Sequence, residues 1–307
     1  MPEARTVHVD ATLSTLSVKY RNEAMIWPMV LPLVKVGRRS DKFVRYVKED
    51  SFKLADDAIG PKSLPNEADW GVVTDNYSVR DHAMGEWLPQ EAIDNADIPL
   101  QPEVDTNEFL NLLLDIAQER RVASLVFNPL NYPTGNKVTL SGTSQWGQAS
   151  ASPIANILAA IEGCFIRANT VIMGADTWMV FRRLPEILTA VKGQNGGGLA
   201  TPEECAGLFE VQNWIVGRGR YITSAEGQTP TFSRLWGKHA AALYVEPNPG
   251  IKTITFGVTF SEMFRQTQRD FDPKRGIKGA HYFKTAWNSD EKIIAADLGY
   301  MLENVVP

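Results

Sequence analysis

With 307 residues, 44% of them hydrophobic and 22% charged, the chain has the length of two packed domains and enough apolar residues for a substantial core. Its formal net charge of −5 argues against the basic character of proteins that bind nucleic acid tightly. Its two cysteines, Cys164 and Cys205, have no second Cys or His at ligand spacing, which argues against a zinc site or a disulfide framework and favours a reducing compartment.

The first residues lack the pattern of a secretion signal, because Glu3, Arg5 and Asp10 stand where an apolar stretch would be required. The longest apolar run, over 25–36, is broken by two prolines and is shorter than the ~20 residues that a membrane-spanning helix needs. We therefore expect a soluble protein with no membrane partner.

Residues 1–30 show few periodic apolar positions, and Pro28 and Pro32 favour extended backbone at the residues before them. This stretch is interpreted as an N-terminal arm. Its apolar side chains, Trp27 among them, are expected to bury against another surface, so Trp27 is a candidate subunit-interface residue.

Two segments, 38–48 and 72–80, interleave charged residues with residues that favour strands and predict a long, solvated β-hairpin. The connection over 49–71 contains several glycines and prolines and is too long for a tight turn, which favours a functional projection or a disordered tip. Two isolated strands are marginally stable in water, so the projection is expected to become ordered by lying on a neighbouring subunit.

Charge is segregated in the same region. Residues 37–53 include Arg38, Arg39 and Lys42, whereas 66–108 hold eleven carboxylates against a single basic residue, Arg80. These runs are either ordinary solvated faces or complementary surfaces that steer subunits together. The second interpretation makes the three basic residues, together with the aromatic anchors Phe52 and Trp70, candidates for the subunit interface.

The clearest helix is predicted over 106–127, where Asp105 and Glu108 form a possible capping box before residues at helical spacing. A second helix is predicted from Ser152–Pro153 to Gly163, followed by a buried strand over Thr170–Gly174. Asp176 or Thr177 could cap the next helix, and another begins at Pro185. Further strands are predicted over Val211–Val216, Ala240–Val245, Thr253–Phe260, Ala280–Trp287 and Lys292–Leu302. The predicted class is therefore α+β.

The sequence over Asn169–Trp178, followed by Arg183–Leu188, resembles a strand, Gly, polar and aromatic block of tailed-bacteriophage major capsid proteins. The ending over Lys292–Asn304 is similar to the closing strand of the same family. The resemblance implies the fold shared by tailed-phage and herpesvirus capsids. It assigns an N-terminal arm to 1–30, a peripheral domain to 31–42, 81–151 and 289–307 with a spine helix at 106–127, an extended loop to 43–80 and an axial domain to 152–288.

The same resemblance implies a structural protein that forms hexamers and pentamers of an icosahedral head, assembled in the host bacterial cytoplasm. The implied partners are other copies of the chain, a separate scaffolding protein, a portal and possibly a decoration protein, with double-stranded DNA enclosed but not specifically bound. An encapsulin-like compartment shell is the alternative with the same fold.

An uncharacterised hydrolase is the alternative of another class. However, the stretch Gly142-Thr-Ser144-Gln-Trp146 fails the nucleophile-elbow pattern at its last position, and no Lys follows the glycines at 196–198. The four histidines show no paired spacing, and Asp81-His82 with Glu86 is a weak acid-base set within an acidic stretch. We therefore predict no catalytic, cofactor-binding or metal-binding residue.

Overall fold

The computed structural model describes residues 22, 24–55, 57–59, 62, 64, 66–97, 100–193, 197–250 and 253–307. Most of the predicted arm thus lies outside the described residues. The described helices are α1 (Trp27–Val30), α2 (Lys48–Ser51), α3 (Gln90–Asp94), α4 (Pro102–Val126), α5 (Pro153–Glu162), α6 (Ala175–Phe181), α7 (Pro185–Lys192) and α8 (Pro202–Leu208). Within this part of the chain, no helix combines the length and the apolar character required to cross a membrane.

The described strands fall into two five-stranded sheets and two short ribbons. They are β1 (Leu33–Lys35), β2 (Ser40–Tyr46), β3 (Val72–Ser78), β4 (Arg80–Pro89), β5 (Lys137–Thr139), β6 (Thr170–Gly174), β7 (Asn213–Gly217), β8 (Arg220–Ile222), β9 (Phe232–Arg234), β10 (Ala240–Leu243), β11 (Gly257–Ser261), β12 (Gln266–Asp272), β13 (Ala280–Ile293) and β14 (Gly299–Glu303).

One sheet has the strand order β5-β14-β10-β6-β7 and is covered on both faces. Every residue of β6 is buried, as expected for an uninterrupted apolar run in a central strand. Its side chains alternate between two cores: Val171 and Met173 pack with α5 to α8, whereas Ile172 packs with α1 and the end of α4. The predicted strand over Thr170–Gly174 is confirmed.

The other sheet is built around β13, which pairs with β11, β12 and β4. In the antiparallel pairing of β13 with β4, the register runs from Ala280 opposite Pro89 to Ser289 opposite Arg80. Helix α4 packs along β4 and β13. At 1.5 Å per residue, the 25 residues of α4 span about 37 Å, so the predicted spine helix exists.

The start predicted for that helix was wrong. α4 begins at Pro102, and Asp105 lies in its first turn rather than capping it. Proline suits the first helical position because the backbone N–H it lacks would have no partner inside the helix. Likewise, α6 begins directly after Gly174 with no side-chain cap, so neither Asp176 nor Thr177 caps it.

The predicted hairpin is confirmed, because β2 and β3 pair antiparallel from Ser40 opposite Ser78 to Tyr46 opposite Val72. The helix from Pro153 and the helix from Pro185 are confirmed as well. The strand predicted over Ala280–Trp287 extends to Ile293. The closing strand is shorter than predicted, because a 3-10 turn over Ala296–Leu298 precedes β14.

Candidate interaction surface

The hairpin of β2 and β3 is anchored on the body of its own chain by aromatic stacking. The ring of Tyr77 stacks on Phe260 with 4.8 Å between centroids, and Phe43 contacts the same ring at 5.5 Å. The Lys292 ammonium lies 2.7 Å from the carboxylate of Asp75 and holds the pKa of that carboxyl below its ordinary value. The root of the projection is therefore fixed.

The three basic candidates at this root have different environments. Arg39 pairs with Asp81 and lies 3.7 Å from Glu262, so its charge is satisfied within the chain. The side chain of Arg38 is 78% exposed and forms an ion pair with the nearby Asp41, at 3.6 Å. Lys42 is exposed and joins no ion pair within the described residues. The structure leaves Arg38 and Lys42 available to a second molecule.

The aromatic candidates lie further out on the projection. Phe52 is 67% exposed and meets Phe165 edge-on at 4.9 Å between centroids. Trp70 is 66% exposed, and its ring contacts Tyr46 on the opposite strand at 5.7 Å. Both rings keep a large apolar area in contact with water.

Three further apolar side chains of the projection were not singled out from the sequence. Leu54, Ile59 and Leu64 are 98%, 55% and 87% exposed. Large apolar residues with no periodicity, placed between prolines and glycines, are the sequence signal that could have identified them. We use the name loop tip for residues 54–70, which carry these three side chains and Trp70.

Trp27 lies elsewhere and has partners within its own chain. Its ring packs against Trp287 at 5.7 Å between centroids, and its backbone N–H donates to Glu119 Oε2 at 2.8 Å. The adjacent Ile26 and Val30 are buried in the core, although they fall within the predicted arm. These side chains bury against their own chain.

The residues considered for hydrolysis do not converge. Ser144 ends a 3-10 turn and donates to the carbonyl of Ser141. His82 and Glu86 lie on β4, roughly 13 Å apart at about 3.3 Å per residue, and burial lowers the pKa of His82. Asp81 is paired with Arg39. In the described residues, no group of three or more His, Cys, Asp or Glu side chains could hold a metal.

Comparison with known proteins gives long matches to capsid proteins, while no family model matches the chain. The major capsid protein of Pseudomonas phage JBD67 is 33% identical over 300 residues, covering 97% of each chain. That of Burkholderia phage BcepMu is 26% identical over 247 residues, covering 77% of this chain and 76% of the relative.

Solved structures show the same likeness at the level of the fold. A phage-related protein of Bordetella bronchiseptica RB50 superimposes with a TM-score of 0.71 at 20% identity, covering 97% of both chains. The capsid of Cyanophage P-SCSP1u gives a TM-score of 0.62 at 10% identity and covers 97% of this chain and 92% of the other.

Proposed function

The chain belongs to the phage major capsid proteins, and from this premise we propose that its projection over 38–80 is the element by which each copy holds its neighbour in an icosahedral shell. The fold is the tailed-phage capsid fold, as predicted, and the protein is part of the virion capsid. The comparisons support a major capsid protein over the compartment-shell and hydrolase alternatives.

The observation that carries the proposal is the exposed apolar surface of the loop tip and Phe52. A hairpin with so little core of its own is marginal in water, and large exposed apolar surfaces on soluble proteins mark contact sites. Trp70 and Phe52 have the size and rigidity of interface anchors. Arg38 and Lys42, at the root, supply exposed positive charge to meet carboxylates on the neighbour.

The remaining features of assembly follow from the family and belong to the same proposal. Copies form hexamers and pentamers, aided by a separate scaffolding protein and a portal, in the cytoplasm of the bacterial host. A decoration protein is a further candidate partner. Double-stranded DNA is enclosed without specific binding. The proposed divisions are an arm at 1–30, an extended loop at 43–80, an axial domain at 152–288 and a peripheral domain formed by 31–42, 81–151 and 289–307.

Charge reversal at the root tests the proposal. Reversing Arg38, Arg39 and Lys42 together should block shell formation, but Arg39 is also paired within the chain. The sharper variant therefore carries Arg38→Glu and Lys42→Glu only, and a second variant carries Phe52→Ala and Trp70→Ala. Lys274→Glu, in the turn between β12 and β13, is the matched control.

Purified proteins are compared by electron microscopy for shells and by near-ultraviolet circular dichroism for packing of the monomer. We expect both test variants to remain folded and to lose closed shells, while the control assembles. Normal particles from the two test variants would contradict the proposal.

A further inference from the structure

A groove of about 1510 Å³ lies between α4, α6 and the ribbon of β8 and β9, and its lining is strongly basic. Six arginines line it, and no Asp or Glu does. The arginines are Arg120, Arg121, Arg182, Arg218, Arg220 and Arg234. The chain as a whole has a net charge of −5, so the positive charge of the groove is a local feature that the overall composition does not reveal.

Three of the arginines converge on the ribbon. Arg220 in β8 lies directly opposite Arg234 in β9, and the guanidinium of Arg234 donates to the carbonyl of Arg218 at 2.8 Å. Like charges directly opposite each other on paired strands destabilise the pairing. Among the described residues, the one ion pair of this cluster joins Arg234 to Asp176 at 3.7 Å. An anion placed between these guanidinium groups would relieve their repulsion.

The arginines contributed by the helices differ in their partners. Arg121 pairs with Glu291 at 3.3 Å. Arg120 lies over the ring of Tyr221, 4.8 Å from its centroid, and the Nε atom of Arg182 is buried without an acceptor. In the described part of the chain, neither Arg120 nor Arg182 meets a carboxylate. A buried N–H donor with no acceptor is costly, so the groove is suited to a ligand that brings several anionic oxygens.

The segment that leads into the groove does not supply this negative charge. Asn22 lines the groove, and its side-chain amide donates to the carbonyl of Arg220 at 2.9 Å. Residues 1–21, which precede it, hold two carboxylates against three Arg and Lys residues. A second molecule is therefore needed to neutralise the groove.

Exposed ring surface accompanies the arginines. Phe232 lies directly opposite Ile222, and the two-residue repeat of a strand puts both on the face that carries Arg220. The two apolar side chains are 62% and 54% exposed. Nucleic-acid bases stack on aromatic side chains whatever the base, and guanidinium groups bind phosphates in a two-pronged geometry. Arginines interleaved with exposed aromatic rings are typical of a groove that follows a nucleic-acid strand.

We infer that this groove binds the phosphodiester backbone of nucleic acid without reading its sequence. The inference rests on the proposed function, which supplies the ligand, because the shell encloses DNA. Contacts to phosphates carry no base-specific information, so they agree with enclosure that is not sequence-specific. The exposed side chains of Arg120, Arg218 and Arg220 are within reach of a duplex, whereas the more buried Arg182 is suited to the thinner single strand.

Binding of DNA to the full chain, kept below the concentration at which shells form, tests the inference. Fluorescence anisotropy follows a labelled duplex of about 20 base pairs and one of its strands alone, at roughly 50 and 200 mM salt. With three phosphate contacts, the affinity for the duplex should fall by about 40-fold between the two salt concentrations. Arg218→Ala combined with Arg220→Ala should bind more weakly at low salt and lose only about 3.5-fold. The tighter-binding form of the DNA identifies which source of phosphodiester the groove takes.

A matched control removes the same charge elsewhere. Arg183→Ala combined with Lys274→Ala changes two exposed residues that do not line the groove, and it should leave both the affinity and its salt dependence unchanged. Equal losses in the two double variants, or no binding of either form of DNA, would overturn the inference. So would poly-L-glutamate that displaces the DNA as well as an unlabelled duplex of equal charge does, because the groove would then take an acidic polypeptide.

Protection of a thiol locates the bound DNA without changing any arginine. Ser124→Cys places a thiol at an exposed position in the groove wall, and its reaction with a maleimide should slow when DNA is added at low salt. Leu64→Cys, far out on the projection, should react at the same rate with and without DNA. The native Cys164 and Cys205 are buried and should not contribute. Equal rates for Ser124→Cys with and without bound DNA would exclude the groove as the site.

The failure of the inference is distinct from the failure of the proposed function, because DNA binding is measured on the unassembled chain. If the wild type forms shells that the Phe52 and Trp70 variant cannot form, but the groove binds no DNA, only the inference is overturned. If that variant forms normal shells, the proposed role of the projection fails, whereas the measured difference between the groove variant and its control is unaffected.

Discussion

The carboxylate of Glu119, in the middle of α4, accepts a hydrogen bond from the indole Nε1 of Trp236 at 2.5 Å. The same carboxylate accepts the backbone N–H groups of Ile26 at 3.0 Å and Trp27 at 2.8 Å. Burial raises the pKa of Glu119, and these hydrogen bonds oppose the rise. One buried side chain thus joins the spine helix, the segment before β10 and the short helix α1, which leads into β1.

Glu119→Gln should destabilise the protein because the described partners of this carboxylate are all N–H donors. The amide NH₂ of Gln would face at least one of these donors, and leaving a buried donor unsatisfied costs about 1–3 kcal/mol. Urea unfolding of the monomer measures the change, with Glu226→Gln, in an exposed loop, as control. Equal unfolding free energies for the two variants would contradict this role of Glu119.

Gly174, at the junction of β6 and α6, is expected to tolerate no side chain. A Cβ at this position would lie 1.9 Å from the carbonyl oxygen of Gly237, and backbone cannot yield as a flexible side chain does. Gly174→Ala should cost on the order of 3 kcal/mol through overpacking. Gly207→Ala, in α8 with nothing within 4 Å of its Cβ, should instead gain about 0.5 kcal/mol. Thermal unfolding compares the two, and similar melting temperatures would reject the argument.

An element of the fold could be predicted where the sequence pattern that specifies it lies within one short segment. The buried strand β6 and the helix α5 were recognised because their apolar spacing lies within one short segment. Strands β4 and β12 were missed. All but one of the residues of β12 are exposed, and among the described strands its backbone pairs only with β13. Such an edge strand is specified by its neighbour, and its own composition does not reveal it.

The candidate surface was predicted only in part, because some of its contacts depend on residues far away in the sequence. The sequence indicated Phe52 and Trp70 as candidates, and the structure leaves both exposed. The contacts of Trp27 with Trp287 and of Arg39 with Glu262 could not be foreseen, because these partners are more than two hundred positions away in the chain. The groove between α4, α6 and the ribbon of β8 and β9 is lined by arginines from separate segments between Arg120 and Arg234, so no linear sequence motif indicates it.

Neither cysteine should react with thiol reagents in the folded protein. Burial raises the pKa of Cys164 and of Cys205 to about 12, and the thiolate is the reactive form. Titration with a chromogenic disulfide at mildly alkaline pH should detect no thiol per native chain and both after denaturation. Rapid reaction of one thiol in the folded state would show that its surroundings open readily. Leu64→Cys, which places a thiol at an exposed position, is the positive control.

The ion pair of Arg121 and Glu291 should make stability depend on pH in the acid range. Burial alone would raise the pKa of Glu291, but the Arg121 guanidinium and the hydrogen bonds from Ser289 and Arg121 outweigh it and lower the pKa below its ordinary value of 4.5. A carboxyl with a lowered folded pKa stabilises the fold fully above its unfolded value, and this contribution is lost as the pH falls through the folded value.

Glu291→Gln should therefore lower the unfolding free energy at neutral pH by about 2 kcal/mol, the value of a hydrogen-bonded charged contact. As the pH falls below 4.5, the wild type should lose stability faster than the variant, and the two curves should converge. The raised pKa of Glu119 gives a pH dependence of the opposite sign, but it is common to both proteins and cancels in their difference. Denaturant unfolding across the acid range measures that difference, and a constant gap between the curves would contradict the assignment.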